Sequence, residues 1–223
     1  MTCPAGKATQ DDPPVLHAAI GLTEQIKAAS DTAEAERRLP PSVTMAIQEA
    51  GIFGMVMPRA WGGPELDPLM QIRVIEALAM ADGSAGWCAM IGCDGGYVSA
   101  FLDQSVARTM YPDRLVATGA AATTTGEARQ VPGGYRVNGR FPFVSGCHHS
   151  EWAWLGCTVV EDGVPRVEQQ WGTANAAVLS ALVRMRDPGP GTRPACAVPA
   201  ATTLSSVMCS SRRSAASASR IRN

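Results

Sequence analysis

QVPGGYRVNGRFPFVSGCHHSEWAWLGCTVV occupies residues 130–160, and its patterning decides the fold class. Gln130 to Val137 reads as a hairpin around Pro132-Gly133-Gly134, because proline presets one turn torsion and glycine accepts the left-handed one. Asn138-Gly139 is a second turn signal. Phe141 to Ser145 and Trp152 to Val160 read as further strands joined by Gly146 to Glu151, and Asp162-Gly163 turns the chain again. Leu115 to Thr125, rich in Ala, Thr and Gly, leads into this β region.

Upstream of about Met110 the period is three to four. Val15, Ala18, Ala19, Leu22, Ile26 and Ala29 form one apolar stripe of a helix over Val15 to Arg38, stopped by Leu39-Pro40-Pro41. Ser42 is the expected cap of a second helix with Val43, Ala46, Ile47 and Ala50 inside, ending at Gly51. Phe53 to Trp61 reads as extended and is broken by Gly62-Gly63-Pro64. Asp67-Pro68 starts a third helix, so apolar around Leu69, Ile72, Val74, Ile75 and Leu78 that it reads as buried. Ser84 is the expected cap of a fourth helix through Trp87 and Met90, interrupted near Gly95-Gly96. Helical spacing resumes from Val98 to Met110. Helices first and antiparallel strands second give an α+β class: an all-α N-terminal domain, then an antiparallel, barrel-like β-domain that is incomplete.

The 223 residues are 46% hydrophobic with a formal net charge of −1. Such a chain has a core, but neither the basic footprint of a nucleic-acid binder nor a polybasic membrane patch. No apolar run is long enough for a bilayer span, and Met1 to Pro14 lacks the apolar stretch of a signal peptide. Seven cysteines, scattered and without a CxxC pair, fit free thiols in a reducing cytoplasm. His17, His148 and His149 have no paired-ligand spacing with them, so no metal site is expected. The His148-His149 pair reads as a polar loop, and Trp87, Trp152 and Trp154 as core.

A set of short motifs runs in order along the chain. Arg38-Leu39-Pro40 is followed by Met57-Pro58 with Trp61-Gly62-Gly63, then by Asp82-Gly83-Ser84 with Gly86-Trp87. Gly133-Gly134-Tyr135-Arg136-Val137-Asn138-Gly139 comes next. Phe143-Val144-Ser145-Gly146-Cys147 with His149 and Trp152 closes the series. This series resembles the acyl-CoA dehydrogenase superfamily, and most closely its flavin-dependent monooxygenases that hydroxylate phenolic or steroid-derived rings. The resemblance implies an N-terminal helical domain, a middle β-domain and a C-terminal four-helix bundle, the last of which this chain is expected to lack. It implies FAD or FMN as cofactor and an acyl-CoA thioester or an aromatic or polycyclic ring as small-molecule substrate. It further implies a flavin reductase as partner and a homo-tetramer. Gly139 to Gly146 matches the family's flavin-facing strand: Phe143 would cover one ring face, with Val144 beside it, and Ser145, two residues on and pointing the same way, would hydrogen-bond the flavin N5. Ala122 and Thr123 match the second flavin-contacting strand less well. Related monooxygenases often place a histidine after the Gly-Trp pair. Cys93-Asp94-Gly95-Gly96 stands there instead, and no catalytic base carries over from either branch.

After about Arg166 the texture changes, and from Pro188 the chain is Pro, Gly, Ala, Ser and Arg, the composition of a disordered tail. If the codons of Ala195 to Thr203 are taken one base earlier, they can spell Gly-Leu-Arg-Gly-Thr-Gly-Ser-His-Asp, which looks like the family motif ending the middle domain. Thr203 to Ser214 then permits an Asp-Val-Phe-Val-Pro strand, with Met208 forcing a valine at its step. The expected domains are therefore 1–112 helical, 113–166 partial β-domain and 167–223 a non-native tail behind a frameshift between about Arg166 and Pro188. The expected activity is that of a flavin oxidoreductase impaired by truncation, with a non-catalytic remnant as the alternative.

Overall fold

Acidic side chains start two of the central helices. In the computed structural model, Asp67 accepts hydrogen bonds from the Leu69 and Met70 amides at 3.0 and 3.1 Å, with Pro68 as first residue of the helix Pro68–Ala81. Asp82 does the same for Gly83–Gly92, accepting from the Ser84 and Ala85 amides at 2.8 and 3.1 Å. Each carboxylate satisfies two amides that have no partner within the helix. Asp82, not Ser84, is thus the cap. Ser42 does not cap either: its helix begins at Pro41 behind Pro40 with no side-chain cap, since a proline at the first position has no amide to satisfy.

The structure describes residues 9–113, 115–132, 134–170, 173–176, 178–184, 195–204 and 207–209. Its helices are α1 (Pro14–Gly21), α2 (Thr23–Glu36), α3 (Pro41–Glu49), α4 (Pro68–Ala81), α5 (Gly83–Gly92), α6 (Gly95–Ser99) and α7 (Gln104–Met110). Its strands are β1 (Thr118–Val131), β2 (Gly134–Pro142), β3 (Trp152–Glu161), β4 (Val164–Pro165), β5 (Val167–Gln170), β6 (Thr173–Ala176), β7 (Val178–Arg184), β8 (Ala195–Leu204) and β9 (Val207–Cys209). The chain divides into two units. One holds the chain up to Ala100 and then Tyr111–Thr118; the other holds Phe101–Met110 and the chain from Gly119 onward.

In the helical unit the core is Leu16, Ala19, Ile26, Val43, Ile47, Ile52, Phe53, Met55, Val74, Leu78 and Ala89, all essentially buried. The helix expected over Val15 to Arg38 is two helices meeting at Leu22, where the Thr23 hydroxyl donates to the Ile20 carbonyl at 2.8 Å. A hydroxyl bonded back to the preceding turn, beside a poor helix former in Gly21, weakens the ladder there. The segment from Phe53 to Trp61 is not extended: Ile52–Gly54 and Arg59–Trp61 are single 3-10 turns. Ile52, Phe53, Met55, Val56 and Met57 are all buried, so there is no alternating face for a strand to present. α4 is likewise one-sided, with Val74, Ala77 and Leu78 inside and Leu69, Ile72 and Met80 exposed. Its Arg73 forms an ion pair with Asp12 at 2.5 Å, fastening the segment before α1.

In the strand unit the main sheet runs β8-β2-β1-β3-β7-β9 with β4 on β3, and every pairing with a described register is antiparallel. Val131 pairs with Gly134, which closes the expected hairpin, though Gly133 itself lies outside the described residues. Asn138-Gly139 is not a turn but lies inside β2, where the β8 pairing shifts register between Val137 and Gly139. Asp162 and Gly163, at φ 50° and 82°, do turn the chain from β3 into β4. Ala153, Leu155, Cys157 and Val159 alternate inward on β3, packing with Ala128, Val137, Phe141 and Val144. Trp152 and Trp154 are on its other face and half-buried, and Trp87 is exposed, so none of the three belongs to the core. Ala195–Leu204, in the stretch expected to be structureless, is placed as a strand along β2, with Arg136 opposite Thr203 and Phe141 opposite Cys196. The remainder, 188–194, 205–206 and 210–223, lies outside the described residues.

Candidate functional site

β2 ends at Pro142, and the next residue breaks the strand. Phe143 has φ 56° and is 86% exposed. The left-handed region is a true outlier for a bulky side chain and costs on the order of 1–3 kcal/mol. Leaving an aromatic ring in water forfeits its burial besides. A residue that is both strained and exposed contributes nothing to stability that would explain its place. Phe143, Val144 and Ser145 therefore do not form the continuous strand in which the first and third side chains would point the same way. Val144 turns inward and is 5% exposed.

Ser145 is tied to β1 at Ala120 by a reciprocal pair of backbone hydrogen bonds, Ser145 N–H to Ala120 O at 2.9 Å and Ala120 N–H to Ser145 O at 3.1 Å. The junction is at Ala120, not at Ala122 or Thr123. Both of these lie further along β1, where Thr123 is exposed. The turn that follows is closed from within. Cys147 N–H donates to Val144 O at 3.3 Å, His149 N–H to Gly146 O at 3.1 Å, and the Ser150 hydroxyl to Gly146 O at 2.8 Å. Gly146 has φ 77°, a torsion glycine adopts without strain. His149 lies in this turn, as expected of a loop, but is half-buried: burial, and then the neighbouring His148, hold its imidazole down to about 4, so it is neutral at pH 7.

The helical unit contains a second group of ionisable side chains. Asp94, between α5 and α6, is half-buried, and burial pushes its carboxyl up to about 6. Beside it, burial raises the Tyr111 phenol to about 12, against the hydrogen bond from Thr118 and with a further push from the Asp94 charge. The Tyr111 and Thr118 oxygens are 3.2 Å apart and buried. The sequence offered one signal for Asp94, a lone acid within the otherwise apolar and glycine-rich run Ile91 to Val98. Of the residues expected at a flavin, the structure joins Ser145 to the start of β1 and exposes Phe143, while Val144 is core. An exposed aromatic face next to an anchored serine can stack on a planar ring and bond a heteroatom at its edge.

Residues 21–105 match the family model described as acyl-CoA dehydrogenase, N-terminal domain. The oxygenase subunit HsaA of a flavin-dependent monooxygenase from Rhodococcus jostii is 33% identical over 145 residues, 65% of this chain and 38% of the relative. The crystal structure of 3-HSA hydroxylase from Rhodococcus sp. RHA1 superposes with a TM-score of 0.70 at 29% identity, over 79% of this chain and 43% of that one. XiaF from Streptomyces sp., solved with FADH2 and glycerol, shares the fold with a TM-score of 0.68 at 20% identity, over 87% of this chain and 47% of that one. The chain thus spans less than half the length of the proteins it matches.

Proposed function

We propose that the chain, whose residues 21–105 match the acyl-CoA dehydrogenase N-terminal domain, derives from an oxygenase component of that superfamily that uses reduced flavin to hydroxylate an aromatic or polycyclic ring. Phe143 carries this proposal. A strained aromatic held in solvent has a use if a planar ring lies against it, and Phe143 stands at the position that the sequence motif assigns to flavin. Ser145 would bond the edge of the ring from a backbone fixed on Ala120, and the start of β1 leading to Ala122 and Thr123 would line its other side. The flavin, FAD or FMN, would supply electron transfer to oxygen. The residues of this chain would bind it, orient it and limit the access of water to it.

A monooxygenase relative that is an oxygenase subunit supports a separate reductase as partner, and a homo-tetramer is part of the same proposal. Among the described residues Cys93 and Cys157 are free thiols, which fits a cytoplasmic site of action. No helix among the described residues is long and apolar enough to cross a membrane. A second reading, a non-catalytic remnant, is favoured by one observation: the codons of Ala195 to Ser214 can spell family motifs in another frame.

The test is a fluorescence titration of FAD and FMN into this chain and into a version read in the other frame from about residue 188 and continued. Covering the second face of the ring contributes several kcal/mol, so the continued version is expected to bind about a thousandfold more tightly. Ser145→Ala should weaken that binding. Absence of flavin binding in both versions refutes the flavin assignment, and tight binding by the short chain refutes the remnant. The genomic DNA across codons 160 to 223 decides the frame directly.

A further inference from the structure

We infer that Ser150 and His149 are positioning residues that hold the Ser145 backbone in a single placement, and that this clamp presents Ser145 to the ring it bonds. The second half rests on the proposed function; the first does not.

The observations all lie within the strand unit. Ser145 meets β1 through one reciprocal pair of hydrogen bonds to Ala120, and Ala120 and Ser145 form an isolated bridge outside the strands. A single bridge at the end of a strand frays unless the next residues are fixed. Gly146 is fixed twice at its carbonyl, by the Ser150 hydroxyl at 2.8 Å and by the His149 amide at 3.1 Å. Its α-carbon is walled in as well: a β-carbon there would stand 3.1 Å from the Ser150 oxygen and 3.4 Å from His149 Nε2. The imidazole therefore packs directly on the glycine that follows Ser145. Gly119 is packed here too: a β-carbon on it would stand 3.0 Å from the Ser145 carbonyl oxygen and 3.5 Å from the Ser150 side chain. Ser150 is 8% exposed, so its bond to Gly146 is protected from competing water. Gly119, Ala120, Ser145, Gly146, His149 and Ser150 thus pack against one another. Neither His149 nor Ser150 needs to reach a ligand: each acts through Gly146 on its neighbour. A neutral imidazole suits this role, because a charged one would not stay in the buried place.

The experiment is residue-resolved amide hydrogen exchange on this chain, comparing wild type with Ser150→Ala, Ser150→Thr and His149→Ala. Loss of the Ser150 bond should speed exchange of the Ser145 and Ala120 amides about tenfold. The Ala128 and Val137 amides of the β1–β2 hairpin should not change. Ser150→Thr keeps the hydroxyl and should restore protection, which a mere loss of packing would not do. Unchanged Ser145 and Ala120 exchange in both alanine variants overturns the clamp. So does an equal acceleration at Ala128 and Val137, which would mean general destabilisation. With FAD or FMN added, Ser145→Ala and Ser150→Ala should weaken binding non-additively. Additive losses with an intact exchange result would retain the clamp and remove its link to flavin. Absence of any flavin binding would count against the proposed function, while the exchange result stands by itself.

Discussion

Replacing Asp94 with asparagine should stabilise the helical unit at neutral pH and leave it unchanged in acid. Burial raises this carboxyl from 3.8 to about 6. The folded unit therefore binds the proton more tightly than the unfolded chain does. Below pH 3.8 both states are protonated and the group has no effect. As pH rises from 3.8 to 6 the unfolded chain loses its proton first, so stability falls; above pH 6 the full loss is in place. The whole shift corresponds to about 3 kcal/mol at 1.36 kcal/mol per pKa unit. Water reaches the half-buried side chain and screens it, so about 1–2 kcal/mol is the expected effect. Urea unfolding followed at 222 nm, which reports the helices, measures it at pH 4, 5, 6 and 7. Asp94→Asn should match the wild type at pH 4 and exceed it at pH 7, and the difference should develop between those values. A variant less stable than wild type at pH 7, or a gain of equal size at pH 4, would show that Asp94 has a favourable partner and that burial is not its dominant influence.

The strand unit should respond to pH in the opposite direction. His149 is held from 6.5 down to about 4, so its unfolded form takes up the proton first and stability is lost as pH falls through that window, by up to about 3 kcal/mol. His149→Phe should flatten the dependence, read by tryptophan fluorescence in urea at pH 4.5 and 7, and an unchanged slope would contradict the burial of the imidazole. Gly96→Ala should destabilise the helical unit by about 1–3 kcal/mol or more, because its new β-carbon would lie 2.6 Å from the Val56 carbonyl carbon and oxygen, backbone atoms that cannot rotate away. An unaltered melting temperature would mean that α6 is free to shift.

Patterning along the chain revealed the order of elements wherever the signal was local. The hairpin around Pro132, the turn at Asp162-Gly163 and the helix start at Asp67-Pro68 depend on torsions and capping bonds within four residues, so their residue types suffice. The errors share a cause. Ser84 and Ser42 are good caps by type, but Asp82 and Pro41 compete for the same helix ends, and the geometry of the preceding turn chooses between them. Phe53 to Trp61 has the apolar content of a strand, yet the turn at its start packs against α3, α5 and α6, and buried on all sides it takes a coiled path. Trp152 and Trp154 looked like core by size, but register on β3 put Ala153, Leu155 and Cys157 on the inner face.

The sequence by itself determined the class, helices followed by an antiparallel sheet, and singled out the segment from Phe143 to Gly146 as the expected flavin contact. Period and motif order are properties of the chain, and they persist however it packs. Only the tertiary structure decided what that segment is. Phe143 is strained and outward, Val144 is core, and Ser145 is fixed to Ala120, 25 positions earlier, by two hydrogen bonds no local rule anticipates. The same holds for the two shifted groups, the Asp94 carboxyl and the His149 imidazole: burial sets their protonation, and burial is a property of neighbours brought in by folding, not of spacing along the chain.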